Sequence, residues 1–252
     1  KLKEVRSVCR DTSNISIGKI NEIDLNPEEI RKIHRQVINT RGELYFSKVI
    51  IFCEGETEEQ ALPLLLKKYH NKSIIELGID IVGIDGGGNY FPFIYFAEKL
   101  NIKWFILSDG EDNIIKKLKK DFKKLTSSDV HINDIILPEN IVHFDNEDDF
   151  ESYLIKNDFV EEIERCLNIV LNTEDLREFI ANKNGTSKGR IKTENMCETC
   201  NQNIFIEQFR EYTGDEGYLT ALNDLLSQNK TKYSSILSEI IYQSEKPLPP
   251  KI

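Results

Sequence analysis

The stretch SKVIIFCEGETEEQALPLLLKKYHN (47–71) decides the fold. Its first half is a nearly continuous apolar run, the pattern of a strand buried on both faces. Its second half has helical spacing, with Pro63 expected to kink the helix or bound its first turn. Between the halves, Glu54, Glu56, Glu58 and Glu59 put four carboxylates into six residues. Charges of one sign this dense repel each other, so the strand end calls for something cationic beside it.

The same alternation continues outward. GIDIVGIDGGG (78–88) and IKWFILSDGED (102–112) read as strands, and a further strand lies near IVHF (141–144). YFPFIYFAEKLN (90–101), the basic amphipathic NIIKKLKKDFKKLTSS (113–128) and the segment after the acidic turn at 145–149 read as helices. Strands alternating with helices imply an α/β fold, a central parallel sheet flanked by helices, with right-handed crossovers. Upstream, residues 1–46 form a lead-in with a short strand in SNISIGKINEIDL. A helix follows from Pro27, capped by Asn26, with Glu28 and Glu29 in its first turn and Gly42 closing it. Beyond residue 157 the strand signal fades into four helical segments and a Lys-rich loop (182–195), before an extended terminus, EKPLPPKI. The expected division is a lead-in at 1–46, an α/β core at 47–157 and an additional mainly helical part at 158–252.

The composition, 39% hydrophobic and 30% charged over 252 residues, is that of an ordinary globular protein. A net charge of −10 argues against broad polyanion binding but not against nucleic acid held through cations. No apolar run approaches the roughly 20 residues that span a bilayer. Five scattered cysteines without a secretory signal read as reduced thiols in a cytoplasmic protein. Cys197 and Cys200 form a CxxC with no second pair nearby, and the favoured reading is two unpaired thiols rather than zinc ligands. The four histidines show no metal-ligand spacing, and no Walker A loop appears.

Ligands of open α/β sheets bind beyond the carboxyl ends of the strands. Three acidic clusters fall there: Glu54 with Glu58, Asp109 with Glu111, and the run Glu147, Asp148, Asp149 and Glu151. Glu54 and Glu58 are four apart, so they face one point if the helix begins nearby. Asp109 and Glu111 are two apart on an extended strand end, with Gly110 allowing a sharp turn between them. Oxygen-rich sets of this kind suit Mg²⁺ or Mn²⁺, and two such ions side by side suit phosphodiester hydrolysis. The helix KKLKKDFKK (116–124) either touches a nucleic-acid backbone or is a solvated face, and Gly86, Gly87 and Gly88 read as a tight turn.

These residues resemble the TOPRIM domain of topoisomerases, primases and related nucleases. The likeness is strongest to the C-terminal nuclease region of the OLD (overcoming lysogenization defect) family. NTRGELYFSKVIIFCEGETEEQALPLL (39–65), DGGGNYFPFIYFAEKLNI and WFILSDGED carry it in order. The resemblance implies a TOPRIM-like sheet, with Glu54, Glu58, Asp109, Glu111 and Glu151 as ligands of two Mg²⁺ or Mn²⁺ ions. Glu111 stands where the family usually has a second Asp, and Glu147 or Asp149 are alternatives to Glu151. A lysine near the scissile phosphate is assigned to Lys188, with Lys192 next. The implied activity is a metal-dependent endonuclease acting on DNA, with an upstream or separate ATPase domain and a role in anti-phage defence. RNA as the substrate, a noncatalytic metal-binding interaction module and a topoisomerase-like role needing a separate tyrosine are the rival readings. Homodimerisation through the lead-in or the helical tail is left open.

Overall fold

The computed structural model describes residues 2–10, 12–84, 89–183, 188–196, 203–209, 212 and 214–252; of these, 188–196 and 203–209 are described as backbone. Strands β1 (Arg6–Arg10) and β2 (Ile15–Lys19) form an antiparallel ribbon, of which only the second strand was legible in sequence. Helix α1 (Pro27–Ile33) starts as expected: the Asn26 side chain accepts from the Glu29 amide, and the Glu29 carboxylate accepts from the Asn26 amide, both at 2.9 Å. It runs on as a π-helical turn to Ile38, so Gly42 opens a separate short turn rather than closing the helix.

Strand β3 (Val49–Cys53) leads into α2 (Glu56–His70) and the short α3 (Ile74–Leu77). Then come β4 (Ile79–Gly83), α4 (Phe91–Lys99), β5 (Lys103–Ser108), α5 (Asp112–Thr126), β6 (Ile141–His143) and α6 (Phe150–Lys156). Pro63 lies inside α2, which continues through it at the loss of one backbone hydrogen bond. The four strands form a parallel sheet in the order β4-β3-β5-β6. The chain steps from β3 to β4 on one side and then crosses to β5 on the other. The order therefore reverses between β3 and β5, which makes the gap beyond their carboxyl ends the switch point where ligands of such sheets bind.

The continuous apolar run of β3 follows from two cores. Ile50 and Phe52 face one, shared with α1, α4 and α5, while Cys53 faces the other and Ile51 packs against it. That second core is closed by α7 (Val160–Leu171), α8 (Leu176–Lys183), α9 (Gly214–Gln228) and α10 (Lys230–Gln243). The Lys68 ammonium on α2 donates to the Ile241 carbonyl at 2.7 Å and also to that of Ser244, fastening α10 along α2. The Lys-rich stretch expected as a loop enters a strand at Lys188: β7 (Lys188–Met196) pairs antiparallel with β8 (Asn203–Phe209). The sequence NIFIEQF, rich in β-branched and aromatic residues, carries that signal. The 86–88 glycines, Cys197 and Cys200 lie outside the described residues.

Gly110 ties the ends of β5 and β6 together. Its amide donates to the Asp148 carbonyl at 2.8 Å, while the Phe144 amide donates to that of Ser108 at 3.1 Å. Gly110 is not among the described residues with positive φ, so it is needed for close approach rather than for a turn. A Cβ placed on it would stand 2.4 Å from the Phe144 carbonyl oxygen, a backbone atom that cannot step aside. Gly110→Ala is expected to destabilise the protein by about 1–3 kcal/mol, as overpacking does, read as a lowered urea midpoint. An unchanged midpoint would show that the two loops are free to separate.

Candidate metal centre

The first two acidic residues stand on either side of the switch point. Glu54 follows β3 directly; α2 then opens at Glu56 with Gly55 as its cap, and Glu58 sits in its first turn, 7% exposed. The Gly55 amide donates to the Glu58 carboxylate at 3.2 Å, which turns that side chain back towards the strand end. The positive end of the helix dipole also favours a carboxylate there. Asp109 follows β5, and Glu111 caps α5 from an exposed position.

After β6 the chain makes an acidic turn in which Asn146 and Glu147 take φ of 55° and 61°. Asp149 then caps α6, accepting from the Ser152 amide at 2.9 Å. Glu151, in the first turn of α6, is 1% exposed and accepts a hydrogen bond from the Tyr233 hydroxyl on α10. The Thr57 hydroxyl lies 3.5 Å from the same phenol oxygen. Lys230, the first residue of α10, approaches Glu151 at 3.8 Å.

Crowding and burial dominate the electrostatics. The Asp109 carboxyl is pushed up to about 8, first by loss of water and then by Glu54, Glu58, Asp149 and Glu151. Burial raises Glu58 to about 7; its own backbone amide and Lys230 pull it down, while Glu151 and Glu54 push it up. Glu54 is raised by burial and by Glu111, against the Asp109 amide, Lys117 and Lys230. Burial alone would lower Lys230, yet Glu151, Asp149, Glu58 and Asp109 together hold it above the ordinary lysine range. One cation thus faces acids from all three strand ends.

Three buried polar atoms here have no hydrogen-bond partner: Glu54 Oε2, Asp109 Oδ1 and the hydroxyl of Tyr90, a fully buried residue just before α4. Orphaned buried oxygens are costly, and two carboxylate oxygens left so at a switch point fit a hard divalent cation. Among the described residues, no three His, Cys, Asp or Glu side chains already stand as a group able to hold an ion. The arrangement gives a reason. The carboxylates repel one another, Asp149 is engaged as a cap and Glu151 is held by Tyr233 and Lys230.

The expected ligands therefore divide. Glu54, Glu58, Asp109 and Glu151 share one electrostatic neighbourhood, with Asp149 in it. Glu111 acts on Glu54 from the exposed rim. Glu147 is exposed, and Asp148 pairs with Lys156. Lys188 and Lys192 lie on β7, whose side chains are outside the described residues. Lys230 and Tyr233 were missed by the sequence reading. The available signal was a lysine in the first turn of a helix, where the dipole disfavours a cation unless acids face it.

Residues 45–111 match the family model described as "Overcoming lysogenization defect protein-like, TOPRIM domain". An Escherichia coli (strain K12) protein described as "Uncharacterized protein YbjD" is 27% identical over 131 residues. That alignment takes in 51% of this chain and 23% of the YbjD protein, so the chain matches only about a quarter of that relative's length. The C-terminal region of the Xanthomonas campestris pv. campestris OLD protein has the same fold. Its platinum-phased structure gives a TM-score of 0.52 at 18% identity, covering 81% of this chain and 86% of that one. The iodine-phased structure gives 0.54 at 17% identity, covering 82% and 90%. No described helix is long and apolar enough to cross a membrane.

An acid whose folded pKa is raised stabilises the fold at low pH and loses that contribution as the pH climbs through the folded value. For Asp109 the window runs from about pH 4 to about 8. In EDTA the melting temperature should fall across this window, and Asp109→Asn should flatten the fall. Mg²⁺ should restore stability most at the alkaline end. A flat profile in EDTA for the unmodified protein would remove the crowding of carboxylates from the account.

Proposed function

We propose that this chain, whose residues 45–111 match the OLD-like TOPRIM model, is a divalent-metal-dependent endonuclease hydrolysing phosphodiester bonds in DNA. The observation carrying this reading is the pair of orphaned buried carboxylate oxygens, Glu54 Oε2 and Asp109 Oδ1, on either side of the switch point. Glu54, Glu58, Asp109 and Glu151 would hold the metal, with Glu111 from the rim and Mg²⁺ or Mn²⁺ as the ions, two in number. Bound there, such ions supply Lewis-acid polarisation of a phosphoryl oxygen and a more acidic water.

The chain's own residues do the rest. Glu58 and Asp109, raised towards neutral pH by burial and by neighbouring acids, could give up a proton as a cation arrives. Tyr233 donates to Glu151 and so orients it, with the Thr57 hydroxyl 3.5 Å from the same phenol oxygen. Lys230 offers a fixed positive charge at the mouth of the cluster, where an anionic phosphate would approach. We assign to it the role that the family resemblance had suggested for Lys188. In this reading residues 47–157 are the catalytic core, 158–252 bring Lys230 and Tyr233 to it, and an ATPase unit is a partner.

Supercoiled plasmid tests the reading. Conversion to nicked or linear DNA is expected with Mg²⁺ or Mn²⁺ and should be abolished by EDTA. Asp109→Ala should cost at least ~100-fold, the scale of losing one electrostatic stabiliser of a transition state, with circular dichroism unchanged. Full activity in Asp109→Ala would overturn the assignment, and cleavage confined to RNA would move the substrate. Lys230→Ala is expected to lower kcat by ~100-fold while calorimetry still detects metal binding. A Lys230→Ala enzyme with unaltered kcat would return the role to Lys188 or Lys192.

A further inference from the structure

Helix α5 leaves the carboxyl end of β5 three residues after Asp109 and runs back along the sheet. Ile114 and Leu118 fix its inner face in the core. Lys116, Lys120 and Lys123 follow at i, i+4 and i+7, within about 60° of arc and about 10 Å along the axis. The lysines around them are engaged. Lys124 pairs with Glu29 at 2.6 Å and lies over the Phe91 ring, Lys119 donates to the Asn133 carbonyl at 3.3 Å, and Lys117 acts on Glu54. The side chains of Lys116, Lys120 and Lys123 have no hydrogen bond or ion pair among the described residues.

That is unusual in a chain with 43 acidic side chains and a net charge of −10. Acids four residues from lysines stabilise a solvated helix face, and Asp112, four before Lys116, makes no ion pair with it. Here Asp121, the acid within the lysine run, turns inward and accepts from the Phe91 amide at 2.9 Å. The exposed side of α5 also carries no aromatic residue, so it offers no platform for stacking unpaired bases.

We infer that this stripe is a docking surface for the sugar-phosphate backbone of duplex DNA, guiding it along α5 to the edge where Glu54 and Asp109 stand. The inference rests on the nuclease reading and adds the surface that captures the substrate. Duplex DNA presents one negative charge per ~1.7 Å of axis, so a stripe of this length spans several phosphates. Lysines serve here as point charges that fix position and carry no sequence preference.

The test is fluorescence anisotropy with a labelled DNA duplex in EDTA, over a range of salt concentrations. Each phosphate contact contributes about 0.9 to the slope of log affinity against log salt. K116A/K120A should therefore bind more weakly with a slope shallower by about 1.8, and K116R/K120R should recover it. K72A/K103A, which removes two lysines from the opposite edge of the sheet, should leave the slope unchanged. An unchanged slope in K116A/K120A, an equal loss in K72A/K103A, or binding of single-stranded RNA in preference to the duplex would each overturn the inference. Plasmid cleavage in Mg²⁺ separates the two claims. Cleavage with an unaltered slope in K116A/K120A sinks the docking surface alone, and a slope loss in a protein that never cleaves sinks the nuclease reading alone.

Discussion

Glu54 and Asp109 repel each other across the gap between two neighbouring strand ends, and the surrounding structure is arranged to keep them there. A parallel sheet forces this geometry. With all strands pointing one way, everything that follows a strand end is delivered to one edge, and the order reversal between β3 and β5 opens a gap at that edge. Residues distant in sequence become neighbours because the backbone ladder is regular, with Cys53 paired in register with Leu107. Burial then raises the cost of their charges well above what the same residues would meet in water.

Three devices offset that cost without a bound ion. The amino terminus of α2 points its dipole at Glu58, and the Gly55 amide bonds to it. Tyr233 donates to Glu151 from the far side of the second core. Lys230 adds a full positive charge. The last two come from α10, which also fills the core against α2 and α7, so the same helix that buries apolar surface supplies polar partners to the acids. This coupling makes the helical part more than an appendage: pulling α10 away would expose the core and unbalance the carboxylates together.

What sequence made legible follows the range of the forces involved. Alternation of apolar runs and helical spacing is local, and it made β3 to β6 and helices α2, α4 and α5 legible, though not the short α3. Strand-end acids could be grouped because one rule about parallel sheets places them all on one edge. Lys230 and Tyr233 belong to the site only through α10 lying along α2, where Thr57 and Tyr233 meet across 176 positions; a lysine in a first helical turn hints at facing acids but does not say which. The missed strands have a different cause. RSVCR and KGRIKTENM mix charged and apolar residues in the way a solvated loop does, and they become strands through pairing with β2 and β8. Gly110 was legible as special for the wrong reason, since a glycine needed for close approach and one needed for positive φ look alike in sequence.

The distribution of charge resolves the apparent conflict between an acidic chain and an anionic partner. Net charge matters at distances beyond about 8–10 Å only as far as salt leaves it unscreened, whereas contact is decided by the charges within that range. At the edge of β3 and β5 those charges are negative and buried, which draws small cations and excludes large anions until cations are present. Along α5, which follows β5 directly, the side chains of Lys116, Lys120 and Lys123 add positive charge without an ion-pair partner among the described residues. On the proposed nuclease reading the two opposite signs would serve one reaction, the acidic edge taking cations and the basic stripe taking phosphates. The −10 of the whole chain sets how readily an anion drifts in from solution, while the local pattern decides where it stays.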